Sequence, residues 1–332
     1  MTQHIAYIDY VNRVHGCWLG RCIAGMLGTS REGTSPCPDS VFDSPELELL
    51  PPYDDLDVEA LWLGVLEQEG VHATQDSLAK ALAKQRLQSE PSAVPRHAPV
   101  RSVQPQAFRA ELWACIAPGH PELAADLATK SGIAEPAGDF IAAARFLAAA
   151  ESLAFVEPDL DACLDAGLAA IPADSRLFRL VRELRGLCAQ DTDWRAHRGR
   201  LLQPLAEEEG AGVLQNLGGT LIALLCGESD FLQTTAIAMC CGAGPACAGA
   251  LLGIHHAATG LMNRYGFRDQ VFTPGAGVQR RSDRLCDLAD DVAMIGLAFQ
   301  EINRRTVIAG GAKHTVIRAP ENVPGQAASG VE

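Results

Sequence analysis

The sequence predicts an all-α protein of roughly a dozen helices, and three observations support that prediction. Hydrophobic residues make up 48% of the 332 residues, so the chain can bury a large core. Only 5% of the residues are aromatic, whereas alanine and leucine, which favour helices, are abundant. The β-branched runs typical of strands are scarce, and apolar residues instead recur every three to four positions along most of the chain.

The first third of the chain contains four of the predicted helices and two long loops. The helices are predicted over residues 7–28, 55–69, 74–88 and 108–115. Turn-forming residues predict a loop over 29–52, and four prolines predict a loop or boundary over 89–107.

The first helix carries small residues at close to four-residue spacing: Gly16, Gly20, Ala24, Gly25 and Gly28. Each glycine inside a helix lowers helix stability by about 1 kcal/mol, so a stripe of glycines is expected only where it has a structural or functional role. Close packing of a second helix explains the small residues better than a ligand-binding site does.

The rest of the chain adds eight predicted helices: 121–128, 140–155, 159–171, 174–189, 213–226, 231–239, 247–263 and 284–303. The helix over 140–155 is apolar around most of its circumference, with Arg145 and Glu151 as its only charges, so it is predicted to be central and buried. Residues 1–318 are expected to form a single domain, and residues 319–332 a flexible tail.

The charge and the cysteines narrow the possible partners and compartment. The net charge of −14 disfavours binding to nucleic-acid phosphates and to anionic membranes. No apolar run reaches about 18 residues and no signal peptide is visible, so a cytoplasmic protein without membrane contact is expected. The eleven cysteines are scattered and contain no C-x-x-C pair, which favours reduced, buried thiols, the adjacent Cys240 and Cys241 included.

An acidic segment stands out at Asp54, Asp55, Asp57 and Glu59, directly after Pro51 and Pro52 and before an apolar run. Acids in the first turn of a helix commonly cap its N–H groups and complement its dipole. Clustered carboxylates can also hold a hard divalent cation such as Mg²⁺. From the residues alone, both interpretations remain open.

A glycine-rich loop, residues 241–247, precedes the helix over 247–263 and can present N–H groups to an anion. It lacks the G-x-G-x-x-G spacing after a strand, so it does not indicate a Rossmann fold. The adjacent His255 and His256 point to different helix faces, and at most one of them can belong to a site.

Several segments together resemble the ADP-ribosylglycohydrolase family, over most of the chain. The opening helix is similar over Arg13–Gly20 and Ala24–Gly28, followed by Glu32, and Tyr53–Asp57 falls at the family's first acidic metal motif. Further similar segments are Trp113–Gly119, Pro121–Ala125, Ala148–Phe155, Ile171–Arg176 and Gly227–Phe231.

The resemblance implies a compact all-α fold with two Mg²⁺ ions in a cleft. The implied activity is hydrolysis of an N- or O-glycosidic bond to ADP-ribose, on a small molecule or an ADP-ribosylated protein. It implies metal ligands at Glu32, Asp54 and Asp55, with Asp54 and Asp55 also catalytic. The ligand-binding residues expected beside them are Glu32, Tyr53, Glu135, Asp139, Asn216, Gly242 and Gly244.

The chain departs from the family at the second metal motif, Gly-x-Asp-Thr-Asp. Gly244 and Ala246 replace both aspartates, and Pro245 lies between them. Tyr53 stands where a threonine is usual, and Glu135 where relatives commonly have histidine. One Mg²⁺ at most, or none, is therefore expected.

Three functions remain open from the sequence. The first is a hydrolase of ADP-ribose or a related ribosyl group with an impaired Mg²⁺ site. The second is an inactive pseudoenzyme that binds ADP-ribose, a nucleotide or a partner protein. The third is a different reaction on a related small molecule, because function follows from the site rather than from the fold.

Overall fold

A computed structural model describes residues 4–30, 56–88, 109–131, 138–208, 211–270, 280, 282–302 and 308–309. The described residues are predominantly helical, which confirms the all-α prediction of about a dozen helices. The helices are α1 (Tyr7–Ser30), α2 (Asp57–Glu69), α3 (Gln75–Gln88), α4 (Glu111–Ile116), α5 (Pro121–Ser131), α6 (Asp139–Ala154), α7 (Leu160–Ala169), α8 (Arg176–Cys188), α9 (Trp194–His197), α10 (Gln203–Ala206), α11 (Gly212–Cys226), α12 (Phe231–Cys240), α13 (Ala246–Tyr265) and α14 (Leu285–Ile302).

Two features of the fold differ from the sequence prediction. The two short helices α9 and α10, joined by a π-helical turn over Arg198–Leu202, had no counterpart in the prediction. A two-residue strand, β1 (Ile5–Ala6), pairs in parallel with β2 (Ile308–Ala309), where no strand was expected. Segments this short carry too little periodicity to be recognised from sequence.

The crossing of α1 and α13 forms the centre of the molecule. Gly16 and Gly20 of α1 face Gly253 and Gly249 of α13, respectively, and a methyl group on any of the four would collide with the backbone of the other helix. The stripe of small residues therefore serves helix packing, as predicted. Because the two backbones approach so closely, the crossing fixes the position of α13 relative to α1.

A kink divides α13 at Ala257, whose φ of 57° and ψ of 165° are not helical. Asn12 of α1 stabilises the helix where it resumes. Its Oδ1 accepts from the backbone N–H of Thr259 at 3.1 Å, and its Nδ2 donates to Thr259 Oγ1 at 2.8 Å. A side chain from another helix thus supplies the cap that the chain itself lacks at this point.

Helix α6 is buried along most of its length, as its apolar sequence predicts. It packs against α4, α5 and α7 and also contacts α11 and α13. Glu151 is fully buried within it, whereas Arg145 reaches the surface, donating to the Ala170 carbonyl and pairing with Asp126.

Candidate functional site

The turn between α12 and α13 is set by Gly242, which was predicted to bind ligand. Its φ of +72° is left-handed, a conformation that favours glycine. The N–H of Gly242 donates to the Met239 carbonyl, and the N–H of Ala243 to the Ala238 carbonyl, each at 3.0 Å. These two bonds form a Schellman motif, the common way of ending a helix at glycine. Gly242 therefore has a structural role here, whatever its role towards a ligand.

The turn lies beside the C-terminal end of α1. A methyl group at Gly28 would lie 2.9 Å from Pro245 Cγ. Helix α13 then begins at Ala246, and the Gly249 N–H donates to the Pro245 carbonyl at 2.9 Å. The fold thus brings the turn over residues 242–246 close to the C-terminal end of α1.

The side chains of residues 242–246 contain no oxygen atom, so the turn has no side-chain ligand for a hard cation. Ala246 is fully buried and packs in the hydrophobic core, and Gly244 is half-buried. Pro245, between them, has no backbone N–H. The turn therefore does not supply the carboxylates that half of a two-ion site would need.

Asn216 lies on α11 one helical turn before the contact with this loop. A methyl group at Gly219 would lie 2.7 Å from Ala243 Cβ, so α11 packs directly on the turn. Asn216 Oδ1 is buried and has no hydrogen-bond partner, and the residue's backbone carbonyl accepts from Thr220 Oγ1 at 3.1 Å. An unpaired buried acceptor is unusual and is consistent with a missing donor, such as a ligand N–H or O–H.

Asp139, in contrast, takes part in a local ion pair at the first turn of α6. Its Oδ2 accepts from Arg176 Nη1 at 3.2 Å, and Arg176 also pairs with Glu208 at 2.6 Å. Asp139 also complements the dipole of α6. This pairing accounts for the residue without a ligand, and its assignment to ligand binding stays a prediction.

Five of the predicted site residues lie outside the described part of the chain: Glu32, Tyr53, Asp54, Asp55 and Glu135. Their roles therefore remain predictions. The described chain stops at Ser30 and resumes at the fully buried Leu56.

Glu59, whose orientation the sequence left open, lies inside the core. Its Oε1 is 3.0 Å from Nη2 of Arg21 on α1, and both side chains are inaccessible to solvent. Arg21 also pairs with Glu111 of α4. This buried ion pair anchors the start of α2 to α1 and so holds the end of the acidic segment in place, because separating such a pair leaves a buried charge uncompensated.

This buried charged group was not predicted, although the sequence contains two signals for it. Arg21 interrupts the small-residue stretch of α1, and Glu151 is an isolated acid in the apolar α6. Burial raises the pKa of the Glu151 carboxyl well above its usual range, and the nearby Glu111 carboxylate raises it further. Both effects favour the neutral form of this carboxyl in the folded protein.

The histidines and cysteines of α12 and α13 have mainly packing roles. His255 lies 3.9 Å from Cys163 Sγ, and burial lowers the pKa of its imidazole to about 4, so the ring is neutral. His256 contacts the Ser229 carbonyl at 2.9 Å. Cys241 is a buried free thiol, as expected, but Cys240 is disulfide-bonded, so the prediction of a reduced thiol is wrong at that position.

Comparison with known proteins confirms the resemblance seen in the sequence. A profile of the ADP-ribosylglycohydrolase family matches residues 6–299 and so covers α1 to α14 almost entirely. No curated protein matches the chain significantly. Among the helices that the structure describes, none is long and apolar enough to cross a membrane.

Proposed function

The chain belongs to the ADP-ribosylglycohydrolase family, and we propose that it hydrolyses a glycosidic bond to ADP-ribose or a related ribosyl group with a single Mg²⁺. One contrast supports this proposal. The sequence keeps Glu32, Asp54 and Asp55 of the first acidic cluster, whereas the turn over residues 242–246 has no oxygen-bearing side chain.

In this proposal Glu32, Asp54 and Asp55 hold the ion through their carboxylates, the ligand type that Mg²⁺ prefers. A bound Mg²⁺ would supply positive charge that orients the ribose hydroxyls and lowers the pKa of nearby water. A carboxylate oxygen of Asp54 or Asp55 that does not bind the ion accepts the proton of the attacking water. Asn216 Oδ1 accepts a hydrogen bond from the ligand, which pairs an acceptor that is otherwise unpaired.

A second function, ligand binding without hydrolysis, is favoured by the same turn. With no carboxylate at Gly244 or Ala246, nothing in the turn can place a second cation against the ribose. The backbone of the turn and the start of α13 would still accommodate an anionic ligand, because the N-terminal end of a helix is partially positive.

Hydrolysis distinguishes the two functions. We expect purified protein with Mg²⁺ to release ADP-ribose from an ADP-ribosylated arginine or serine peptide above a buffer blank, and a chelator to abolish the release. The rate should fall well below that of a two-ion enzyme, because charge stabilisation by the second ion is lost. Binding of ADP-ribose in calorimetry without any release from either peptide would support the second function and contradict the first.

The double substitution Gly244→Asp with Ala246→Asp should strengthen Mg²⁺ binding, because it gives the turn the two carboxylates of the family's second motif, which this chain lacks. We expect the dissociation constant for Mg²⁺, measured by calorimetry, to fall by at least about tenfold, or about 1.4 kcal/mol. Gly212→Asp is the matched control, since it adds an acid at the start of α11, where a side chain meets no neighbour within 4 Å. Equal Mg²⁺ affinity in the double variant and the control would contradict the assignment of the turn to the second motif.

A further inference from the structure

Two cysteines and a histidine converge on one point, away from the turn between α12 and α13. Cys188 is the last residue of α8, Cys226 the last of α11 and His197 the last of α9. One potential ligand atom from each lies within 4.8 Å of the other two. His197 and Cys226 are 4% and 2% exposed, and Cys188 is half-buried.

We propose that Cys188, Cys226 and His197 bind a zinc ion, or another soft divalent metal of similar size. The proposal is independent of the proposed hydrolysis, which uses carboxylates and Mg²⁺ elsewhere in the chain. Thiolate and imidazole are the ligands that zinc prefers, and magnesium does not.

The two sulfur atoms have a spacing that suits a shared metal. The Sγ atoms of Cys188 and Cys226 are 3.5 Å apart. In a tetrahedral zinc site with Zn–S bonds of about 2.3 Å, the two sulfurs are about 3.8 Å apart. A disulfide would need a separation of about 2.05 Å. A metal therefore requires a smaller movement of the two thiols than a disulfide does.

The ring of His197 is held on one side by Asp191. Its Nε2 lies 3.1 Å from the Asp191 carbonyl oxygen and 3.2 Å from Asp191 Oδ1. A carbonyl oxygen can only accept, so Nε2 carries the proton and the lone pair of the neutral ring is on Nδ1. Ligating histidines commonly donate their second N–H to a carbonyl or a carboxylate in this way.

The loop that carries Asp191 is itself ordered by local bonds. Asp193 N–H donates to Asp191 Oδ1 at 2.9 Å, and Asp193 Oδ1 accepts from the Ala196 N–H at the start of α9. The ring of His197 is thus fixed by its surroundings rather than by the metal. Because the ring is already fixed, metal binding would require less ordering of the His197 side chain.

The net charge expected of the zinc-bound site is also compatible with its buried position. Zn²⁺ with two thiolates and a neutral imidazole has no net charge, so binding would leave no uncompensated charge in the interior. The C-terminal ends of α8 and α11 both carry partial negative charge towards the site.

One of the three proposed ligands, Cys188, borders a surface cavity. Cys188 forms part of the wall of an open cavity of about 720 Å³ between α7, α8 and the end of α11. Asp161 and Asp165 also line this cavity, where both pair with Arg185.

Metal content and cobalt spectroscopy test the proposal on the full chain. Protein purified under reducing conditions without chelator should contain about one zinc per chain by elemental analysis. After zinc is removed and Co²⁺ is added, a strong thiolate-to-cobalt charge-transfer band should appear. Cys226→Ser should lose most of the zinc and of the band. Cys163→Ser is the matched control, because it also removes a cysteine beside a histidine, His255, but outside this cluster.

Thiol labelling keeps the test decisive if Cys226→Ser fails to fold. Zinc should protect Cys188 of the wild-type chain from alkylation at least about tenfold relative to the zinc-free protein, because a coordinated thiolate is no longer a free nucleophile. Cys286, half-buried and outside the cluster, should be labelled equally with and without zinc. Absence of both zinc and a cobalt band, unchanged labelling of Cys188, or a Cys188–Cys226 disulfide in protein kept with zinc would each overturn the proposal.

Discussion

Gly249→Ala is expected to lower the free energy of unfolding by at least about 3 kcal/mol. The added methyl group would lie 2.5 Å from Ala24 Cβ and would collide with the backbone of Gly20. Backbone atoms cannot rotate away as a side chain can, so α1 and α13 must separate and lose contacts along their whole crossing. Guanidinium or thermal unfolding of purified protein measures the loss, with a midpoint well below that of the wild type.

Gly260→Ala provides the control within the same helix. A methyl group there meets only His256 Cβ, at an ordinary 3.5 Å. Because alanine favours helices, this variant should be as stable as the wild type or more stable by about 0.5–1 kcal/mol. Similar unfolding midpoints for Gly249→Ala and Gly260→Ala would show that the crossing is not closely packed at Gly249.

The glycine crossing also shows how the turn between α12 and α13 is held without carboxylates at positions 244 and 246. The crossing and the Schellman motif at Gly242 fix the backbone of the turn without using any side chain at 244 or 246. At Ala246 the side chain has instead joined the core, with no exposed surface. The backbone of this turn therefore does not depend on carboxylates at positions 244 and 246.

The sequence predicted those parts of the fold that periodicity and composition determine. The small residues of α1 and the apolar circumference of α6 indicated close packing and central burial, and both predictions are confirmed. The cluster of Cys188, His197 and Cys226 could not be predicted in the same way. Its residues are separated by unrelated spacings, and His197 lies on the short α9, so only the tertiary packing brings them together.

The candidate cleft was predicted only in outline. The resemblance located the turn over 241–247, but the structural role of Gly242 depends on two backbone hydrogen bonds that no residue pattern specifies. Similarly, Glu59 belongs to a run of acids that suggested caps or metal ligands, yet its partner is Arg21, 38 positions earlier in the chain. Long-range pairs of this kind are set by helix packing rather than by local spacing.

Glu151→Gln is expected to stabilise the protein, and by more as the pH rises. Both carboxyl oxygens of Glu151 are buried without a hydrogen-bond partner, and burial raises the pKa of this group well above its usual range. In the unfolded chain a glutamate loses its proton near pH 4.3, whereas the folded protein retains it until the raised pKa is reached. Between those two pH values the unfolded state binds fewer protons, so the wild type loses up to about 1.4 kcal/mol of stability per pH unit relative to glutamine, which does not titrate.

Chemical unfolding at pH 5, 6 and 7 measures this difference between Glu151→Gln and the wild type. It should grow as the pH rises over that range, by at most about 1.4 kcal/mol per pH unit, because the pairs formed by Arg21 with Glu59 and Glu111 are present in both proteins and their titration largely cancels. Glu122→Gln, the same substitution at an exposed position in the first turn of α5, should follow the wild type in parallel. A constant difference between Glu151→Gln and the wild type would mean that Glu151 ionises as readily in the folded protein as in the unfolded chain. The charge of the ionised carboxylate would then be compensated within the core, where Arg21 is a cation that acts on it.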